Sequence, residues 1–198
     1  MISLLLKFLV VMLPVAAQAH HPMGGETPQT ALQGLLSGFG HPIIELDHFL
    51  FIVGFALLLA LCSRHLIVHI GLFLVAAMAG TGLRQLHPEL PYLETGVLLS
   101  TVAAGVLLIV QKLDRAALIG VLAPAAGLFH GYGYGAAVLG AEETPLVAYL
   151  TGFSLIQATL MVILICATRL LIASRPQQRV NAYRMASGAT VIGLAFLV

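Results

Sequence analysis

The stretch HPIIELDHFLFIVGFALLLAL, residues 41–61, places two histidines and two acids directly before an uninterrupted apolar run. A segment of about 20 predominantly apolar residues is long enough to cross a lipid bilayer. The whole chain has the same character, since 60% of its 198 residues are hydrophobic, only 9% are charged, and its mean hydropathy is +1.02. A soluble domain has about 25% charged residues. The composition therefore predicts a membrane protein whose main partner is the lipid bilayer.

Charge and motif content exclude several classes of function. A net charge of +1 without a basic tract gives no basis for a nucleic-acid partner, and two cysteines cannot build a disulfide scaffold. The chain has no Gly-rich phosphate loop, no Ser-His-Asp order and no HExxH motif, so we expect that it is not an enzyme. Eight histidines beside so few charges instead raise the question of a metal ion or haem.

The N-terminus has the pattern of a cleavable secretory signal over residues 1–19. Lys7 supplies its positive charge, an apolar stretch follows, and an A-x-A cleavage site ends at Ala19. An uncleaved first helix is the alternative. Cleavage would place His20 and His21 beside the new α-amine, which together form a candidate group for capturing a metal ion outside the cytoplasm.

Six apolar segments follow a polar extracytoplasmic tail, which we assign to residues 20–40. Each segment has about the length needed to cross a bilayer, and the short loops between them favour antiparallel neighbours. Alternation with a period of two, typical of a membrane β-barrel, is missing from these segments. The sequence predicts an all-α, six-transmembrane-helix bundle over residues 41–198. Its predicted helices are 41–61, 66–84, 91–110, 116–139, 145–172 and 182–198.

The charged residues predict an orientation in the bacterial inner (plasma) membrane. With the tail outside, almost every basic residue of the bundle lies on the cytoplasmic side, as the positive-inside rule requires, and Arg84 is the exception. The acids, except Asp114, lie on the outer side, where they attract cations. The basic residues assigned to the cytoplasmic side are Arg64, Lys112, Arg115, Arg169, Arg175, Arg179 and Arg184.

The polar residues that open the first predicted helix form a candidate metal site. We place Pro42 in the first turn of this helix, where its missing N–H has no consequence. On an ideal helix His41 and His48 differ by only about 20° in azimuth, and Glu45 lies about 40° away. Asp47 points about 120° off this face, so it joins the site only through an irregular first turn, or it orients an imidazole. An ionised Asp in hydrocarbon costs about 2.5–3.5 kcal/mol, so it needs a partner inside the bundle.

A second candidate group lies in the fourth predicted helix, in the Gly-rich stretch GLFHGYGYG, residues 127–135. Its glycines predict a close approach of backbones, a distortion or a local break. His130 and His48 lie at similar depths, about 13 Å and about 10 Å below the outer ends of their helices. The primary candidate metal ligands are therefore His41, Asp47, His48 and His130, with Glu45 as a secondary candidate.

A weaker candidate site lies at the cytoplasmic end of the second predicted helix. His65 and His69 are four residues apart, so they share one face of a helix. They either form an exit site for an ion or lie as a pair at the level of the lipid headgroups.

These residues together resemble the HupE/UreJ family of nickel and cobalt permeases. The family's first motif, H-x5-D-H, is matched by His41, Asp47 and His48, and its second motif, which begins F-H-G, is matched by residues 129–131. The predicted signal followed by six helices is similar to the family's layout. The tyrosine-rich second motif is similar to that of cyanobacterial members, for which cobalt is the more frequent assignment.

The chain departs from the family's second motif at one position. The family pattern continues to a Glu, whereas this chain has alanine at positions 136 and 137. The nearest acids are Glu142 and Glu143, and Glu142 is accordingly a further secondary candidate. The acidic ligand is lost, replaced from the outer loop, or unnecessary.

The resemblance implies a secondary transporter for uptake of Ni²⁺ or Co²⁺, which would supply a hydrogenase, a urease or cobalamin synthesis. Imidazole with carboxylate suits such borderline ions better than Mg²⁺ or Ca²⁺. The transported ion is then cargo, and no permanently bound cofactor is expected. The pattern is also compatible with a homo-oligomer.

Three alternatives remain open at this point. A b-type cytochrome would use His48 and His130 as axial haem ligands. An intramembrane zinc-dependent hydrolase would use the same His and Asp residues to activate water. A structural accessory subunit would leave the buried Asp47 without a role.

Overall fold

A computed structural model describes residues 26–110 and 114–198, and within these ranges it contains helices and no strand. The predicted signal and the candidates His20 and His21 lie outside the described residues. A single 3-10 turn, Gly135–Val138, continues the fifth helix. The helices are α1 Ala31–Ile44, α2 Leu46–Cys62, α3 Leu66–Leu86, α4 Leu93–Ile109, α5 Arg115–Tyr134, α6 Glu143–Ile172 and α7 Gln177–Ala195. The predicted all-α class is confirmed.

Three of these helices are long and apolar enough to cross a membrane: α3, α5 with its 3-10 turn, and α6. The pair α1 and α2 counts as a fourth span if the two are taken as one broken segment. Helix α4 is apolar but has only 17 residues. The described residues therefore supply three to four candidate spans, and the predicted count of six is not confirmed.

The first predicted helix is two helices in the structure. Helix α1 begins at Ala31, inside the segment assigned to a polar tail, and Thr30 and Gln33 form a reciprocal capping box at its start. Small buried residues of α1, among them Gly34 and Gly38, pack against α6. Packing against another helix explains why this Gly-containing stretch is helical, a contact that local sequence does not reveal.

The chain bends by 75° between α1 and α2. Glu45 has an extended backbone (φ −81°, ψ 110°) and is at once the residue after α1 and the residue before α2. Pro42 lies inside α1, three residues before the bend, so its predicted place in the first turn of a helix is wrong. Because proline has no N–H to continue the hydrogen-bond ladder, it weakens a helix at this point.

Helix α2 is at the centre of the bundle and packs against α4, α6 and α7, while α3 packs along α5 and α1 along α6. The core of the bundle around α2 is aromatic: the Phe51 ring stacks on Phe55 at 5.4 Å and on Phe73 of α3 at 5.3 Å between centroids. Large apolar side chains remain exposed on the outer faces of the helices, as lipid contact requires, including Ile67, Val75, Val121 and Leu170.

The glycines of α5 bring its backbone against α3, as the sequence predicts. A Cβ atom on Gly127 would overlap the carbonyl oxygen of Phe73, and one on Gly131 would overlap that of Ala77. Small residues allow membrane helices to approach this closely. The absence of side chains at these positions therefore sets the distance between α3 and α5.

We expect Gly131→Ala to destabilise the protein, because its methyl group meets backbone atoms that cannot move away without separating α3 from α5. Overpacking of this kind costs about 1–3 kcal/mol. Gly120→Ala is the matched control on the same helix, since nothing lies within 4 Å of its added Cβ. Thermal unfolding in detergent should show a lower Tm for Gly131→Ala only; equal Tm values for the two variants would contradict this packing.

Candidate metal centre

Three side chains of types that can bind a metal ion meet at the junction of α1 and α2. His41 lies in the last turn of α1, Glu45 at the bend, and His48 in the first turn of α2. The Oε2 atom of Glu45 lies 3.1 Å from Nε2 of His41 and 3.2 Å from Nε2 of His48. One potential ligand atom from each residue lies within 4.8 Å of the others. Because the ligand atoms of one zinc-sized ion lie about 3–4 Å apart, the two contacts of Glu45 already have the spacing of a metal site.

The three side chains differ in their access to the surroundings. The side chains of His41 and His48 are 1% and 4% exposed, whereas that of Glu45 is 35% exposed. Tyr134 closes the inner side, with its ring edge-on to both imidazoles at 5.3 Å and 4.5 Å between centroids. An ion would therefore approach from the side of the carboxylate and meet the imidazoles behind it.

His130 contacts the cluster through His48. The Nδ1 atoms of the two rings are 2.8 Å apart, and Nε2 of His130 lies 3.0 Å from the hydroxyl of Ser100 on α4. His130 is fully buried, with the Phe51 ring at 4.3 Å between centroids. Gly133 makes room for this arrangement, since a Cβ atom there would lie 3.0 Å from Nε2 of His48.

Asp47, a primary candidate from the sequence, lies outside the cluster. Its Oδ1 accepts a hydrogen bond of 2.7 Å from the backbone N–H of His48, and its side chain lines a separate cavity of about 500 Å³ together with Glu94. The reason is that the helix restarts at Leu46, so Asp47 becomes a first-turn acid that favours the helix N-terminus. Glu45, named only as a secondary candidate, supplies the carboxylate of the cluster instead.

The remaining candidates lie elsewhere. His69 is buried and its Nδ1 lies 2.8 Å from the Ser63 hydroxyl, while His65 is exposed with its ring 6.4 Å away. This pair follows the C-terminal end of α2, whereas the cluster lies at the N-terminal end of the same helix. Glu142 is exposed at the start of α6 and is not part of the cluster.

Sequence reasoning missed Ser100. It is buried in an apolar helix and contacts both His130 and the backbone carbonyl of Val97. The signal that could have found it is weak, because serine is common in membrane helices as a small packing residue.

Long apolar helices, an apolar outer surface and a buried cluster of imidazoles with one carboxylate define an integral membrane protein with a candidate transition-metal site. Comparison with protein families specifies it further: the family described as HupE / UreJ protein matches residues 8–197, almost the whole chain. The chain belongs to this family, which is associated with nickel and cobalt transport. Neither the curated proteins nor the solved structures gave a match.

The structure separates the roles of the two neighbouring acids. We expect Glu45→Gln to weaken binding of Ni²⁺ or Co²⁺ to the purified protein by at least about tenfold, because it removes the charged oxygen next to both imidazoles. Asp47→Asn is the matched control, since its amide oxygen can still accept from the His48 N–H. Isothermal titration calorimetry should show the loss in Glu45→Gln alone. A larger loss in Asp47→Asn would contradict the cluster as described.

Proposed function

We propose that this protein is a permease that carries Ni²⁺ or Co²⁺ into the cytoplasm through the cluster of His41, Glu45 and His48. The observation that supports this function is the convergence of two buried imidazoles on one partly exposed carboxylate oxygen. The chain belongs to a family that is associated with nickel and cobalt transport, and this supports Ni²⁺ or Co²⁺ as the transported ion. The ion would serve a cytoplasmic metalloenzyme or cofactor synthesis.

The ligand types suit the proposed cargo. Imidazole nitrogen binds borderline divalent ions such as Ni²⁺ and Co²⁺, whereas Mg²⁺ and Ca²⁺ prefer all-oxygen sites. Three protein ligands leave further coordination positions for water, so the ion loses only part of its hydration shell on binding. A site of this kind binds the ion and still allows release, as transport requires.

The membrane potential is a sufficient source of energy for this direction of transport. Moving one elementary charge across it is worth about 2.3 kcal/mol per 100 mV, and a divalent cation moving inward gains twice as much. The chain has no nucleotide-binding motif to supply energy in another way.

The geometry disfavours the cytochrome alternative. Two axial nitrogens on opposite sides of one haem iron lie about 4 Å apart with the porphyrin between them. The Nδ1 atoms of His48 and His130 are in direct hydrogen-bond contact at 2.8 Å. The intramembrane hydrolase receives no support either, because the family is one of transporters and accessory proteins.

Cells that express the protein test the proposal directly. We expect His48→Ala to lose most uptake of radiolabelled Ni²⁺ or Co²⁺, because it removes one imidazole of the cluster, and His130→Ala to show reduced uptake. His87→Gln is the control, since the His87 side chain is exposed and lies in the loop after α3. Equal uptake by the wild type and the two alanine variants, at matched expression in the membrane, would refute the site.

Competition between ions tests the ligand chemistry. Unlabelled Ni²⁺ and Co²⁺ should each inhibit uptake of the other at similar concentrations, because both accept imidazole nitrogen and carboxylate oxygen. A hundredfold excess of Mg²⁺ should leave uptake almost unchanged. Strong inhibition by Mg²⁺ in this assay would indicate an all-oxygen site, such as the cavity beside Asp47 and Glu94.

A further inference from the structure

A buried arginine at one end of the bundle carries a positive charge that no acid balances. Arg184 lies two turns into α7 and is 7% exposed. Its Nε and Nη2 atoms are buried, and neither has a hydrogen-bond partner among the described residues. A guanidinium group cannot be deprotonated in a protein, and a buried charge is unfavourable unless it is paired. The surroundings of Arg184 therefore require a negative charge.

The acids of the chain do not supply this charge. All eight Asp and Glu residues lie within the described ranges, and the two ion pairs formed there both join a histidine to Glu45. Asp114, directly before α5, accepts a hydrogen bond from the backbone N–H of Ala117 at 3.3 Å. The counter-ion of Arg184 must therefore come from outside the protein chain.

Two further arginines lie at the same end of the bundle. Cys62, the last residue of α2, has its Sγ 3.7 Å from Nη1 of Arg115 and also interacts with Arg184. Arg169 of α6 donates to the backbone carbonyl of Ser63 at 3.0 Å. We call Arg115, Arg169 and Arg184 the arginine cluster. It lies at the C-terminal end of α2, whereas the candidate metal centre lies at the N-terminal end of the same helix.

Arg184 differs from the other two arginines in its contacts. Arg115 donates from Nε and Nη2 to the carbonyl of Val110 after α4, at 3.0 Å and 2.7 Å, and Arg169 donates to carbonyls at the end of α2. Basic side chains commonly satisfy the last carbonyls of a helix in this way, but the described structure gives Arg184 no such carbonyl. The positive-inside rule does not require its burial either, since Arg175 is exposed.

A phosphate group has the chemistry that fits the arginine cluster. The planar guanidinium presents two parallel N–H groups that match two phosphate oxygens, and Nε and Nη2 of Arg184 form such a pair. Lipid phosphates lie just outside the hydrocarbon core of a bilayer, which is about 30 Å thick, and Arg184 is only about 10 Å along α7 from its first residue. Arg115 is half-buried and Arg169 is exposed, so the cluster can be reached from the surface of the bundle.

We propose that Arg184, together with Arg115, binds a phosphate group at this end of the bundle, either from the headgroup of an anionic phospholipid or from inorganic phosphate. The long Arg184 side chain turns the edge formed by Nε and Nη2 toward Arg115, where the phosphate provides the negative charge. Basic pockets between membrane helices bind acidic lipid headgroups in the same manner. The inference does not depend on the permease function, because it involves neither the transported ion nor its ligands.

Native mass spectrometry of the detergent-purified protein tests the lipid source. We expect the wild type to retain added phosphatidylglycerol, and Arg184→Gln to retain it at least about tenfold more weakly, because a charge-assisted pair of hydrogen bonds is lost. Phosphatidylcholine, whose phosphate is balanced by its own choline, should be retained less. Arg179→Gln is the matched control, since it removes an exposed positive charge from the same helix and should retain phosphatidylglycerol as the wild type does.

Inorganic phosphate tests the soluble source. In lipid-depleted detergent, phosphate should raise the Tm of the wild type and of Arg179→Gln above the value in chloride at equal ionic strength, and it should not do so in Arg184→Gln. A response to either probe that depends on Arg184 supports the proposal and identifies the source of the phosphate group. A wild type that responds to neither probe, or equal losses in Arg184→Gln and Arg179→Gln, would overturn it.

Arg184→Met separates phosphate binding from folding. Replacement of an uncompensated buried charge by an apolar side chain is often neutral or stabilising. Without lipid or phosphate, we expect the Tm of Arg184→Met to equal or exceed that of the wild type, and added phosphatidylglycerol should raise the Tm of the wild type alone. A much lower Tm of Arg184→Met under these conditions would mean that the protein itself balances the charge, against the proposal. Binding of Ni²⁺ should be the same in all these variants, so failure here leaves the permease proposal intact.

Discussion

The interruption of the helical backbone at Glu45 is the constraint on which the cluster of His41, Glu45 and His48 depends. Inside a membrane a broken helix is tolerated only where the exposed backbone groups find partners. Here the N–H of Glu45 donates to the carbonyl of His41 at 3.2 Å, and its carbonyl accepts from the N–H of Phe49 at 2.9 Å. With its backbone satisfied, Glu45 can hold its side chain between two helix ends.

The close packing of α3 and α5 has a direct consequence for the cluster. Gly131 sets the distance to α3, and Gly133 leaves space for the His48 ring. His130, directly before Gly131, is thereby held against His48 on one side and Ser100 on the other. Glycine lowers the helix propensity of this part of α5. The close contacts with α3 that glycine permits offset that loss, so the segment remains helical.

Periodicity and hydropathy could predict most of the helices to within a few residues, since α3, α4 and α6 depend on continuous apolar runs. They could not predict that α1 begins at Ala31, because that helix is stabilised by packing of Gly34 and Gly38 on α6. Helical geometry placed His41 and His48 on one face for a continuous helix. In the structure the same two side chains meet because the chain bends at Glu45. Glu45 therefore supplies the carboxylate beside the imidazoles, which was expected of Asp47, and Asp47 accepts a hydrogen bond from the backbone of α2.

The carboxylate that the bend places beside the imidazoles also explains how the second motif can lack its acidic residue. Ala137 and Val138, in the 3-10 turn, are buried in an apolar cluster with Tyr134, Tyr149 and Phe153. An ionised side chain at position 137 would have to be desolvated among these rings, which is unfavourable. The carboxylate beside the two imidazoles comes instead from Glu45, where 35% exposure keeps part of its hydration. With this one carboxylate beside the imidazoles, the turn after α5 need not supply a second acid, and Ala137 packs as a core residue.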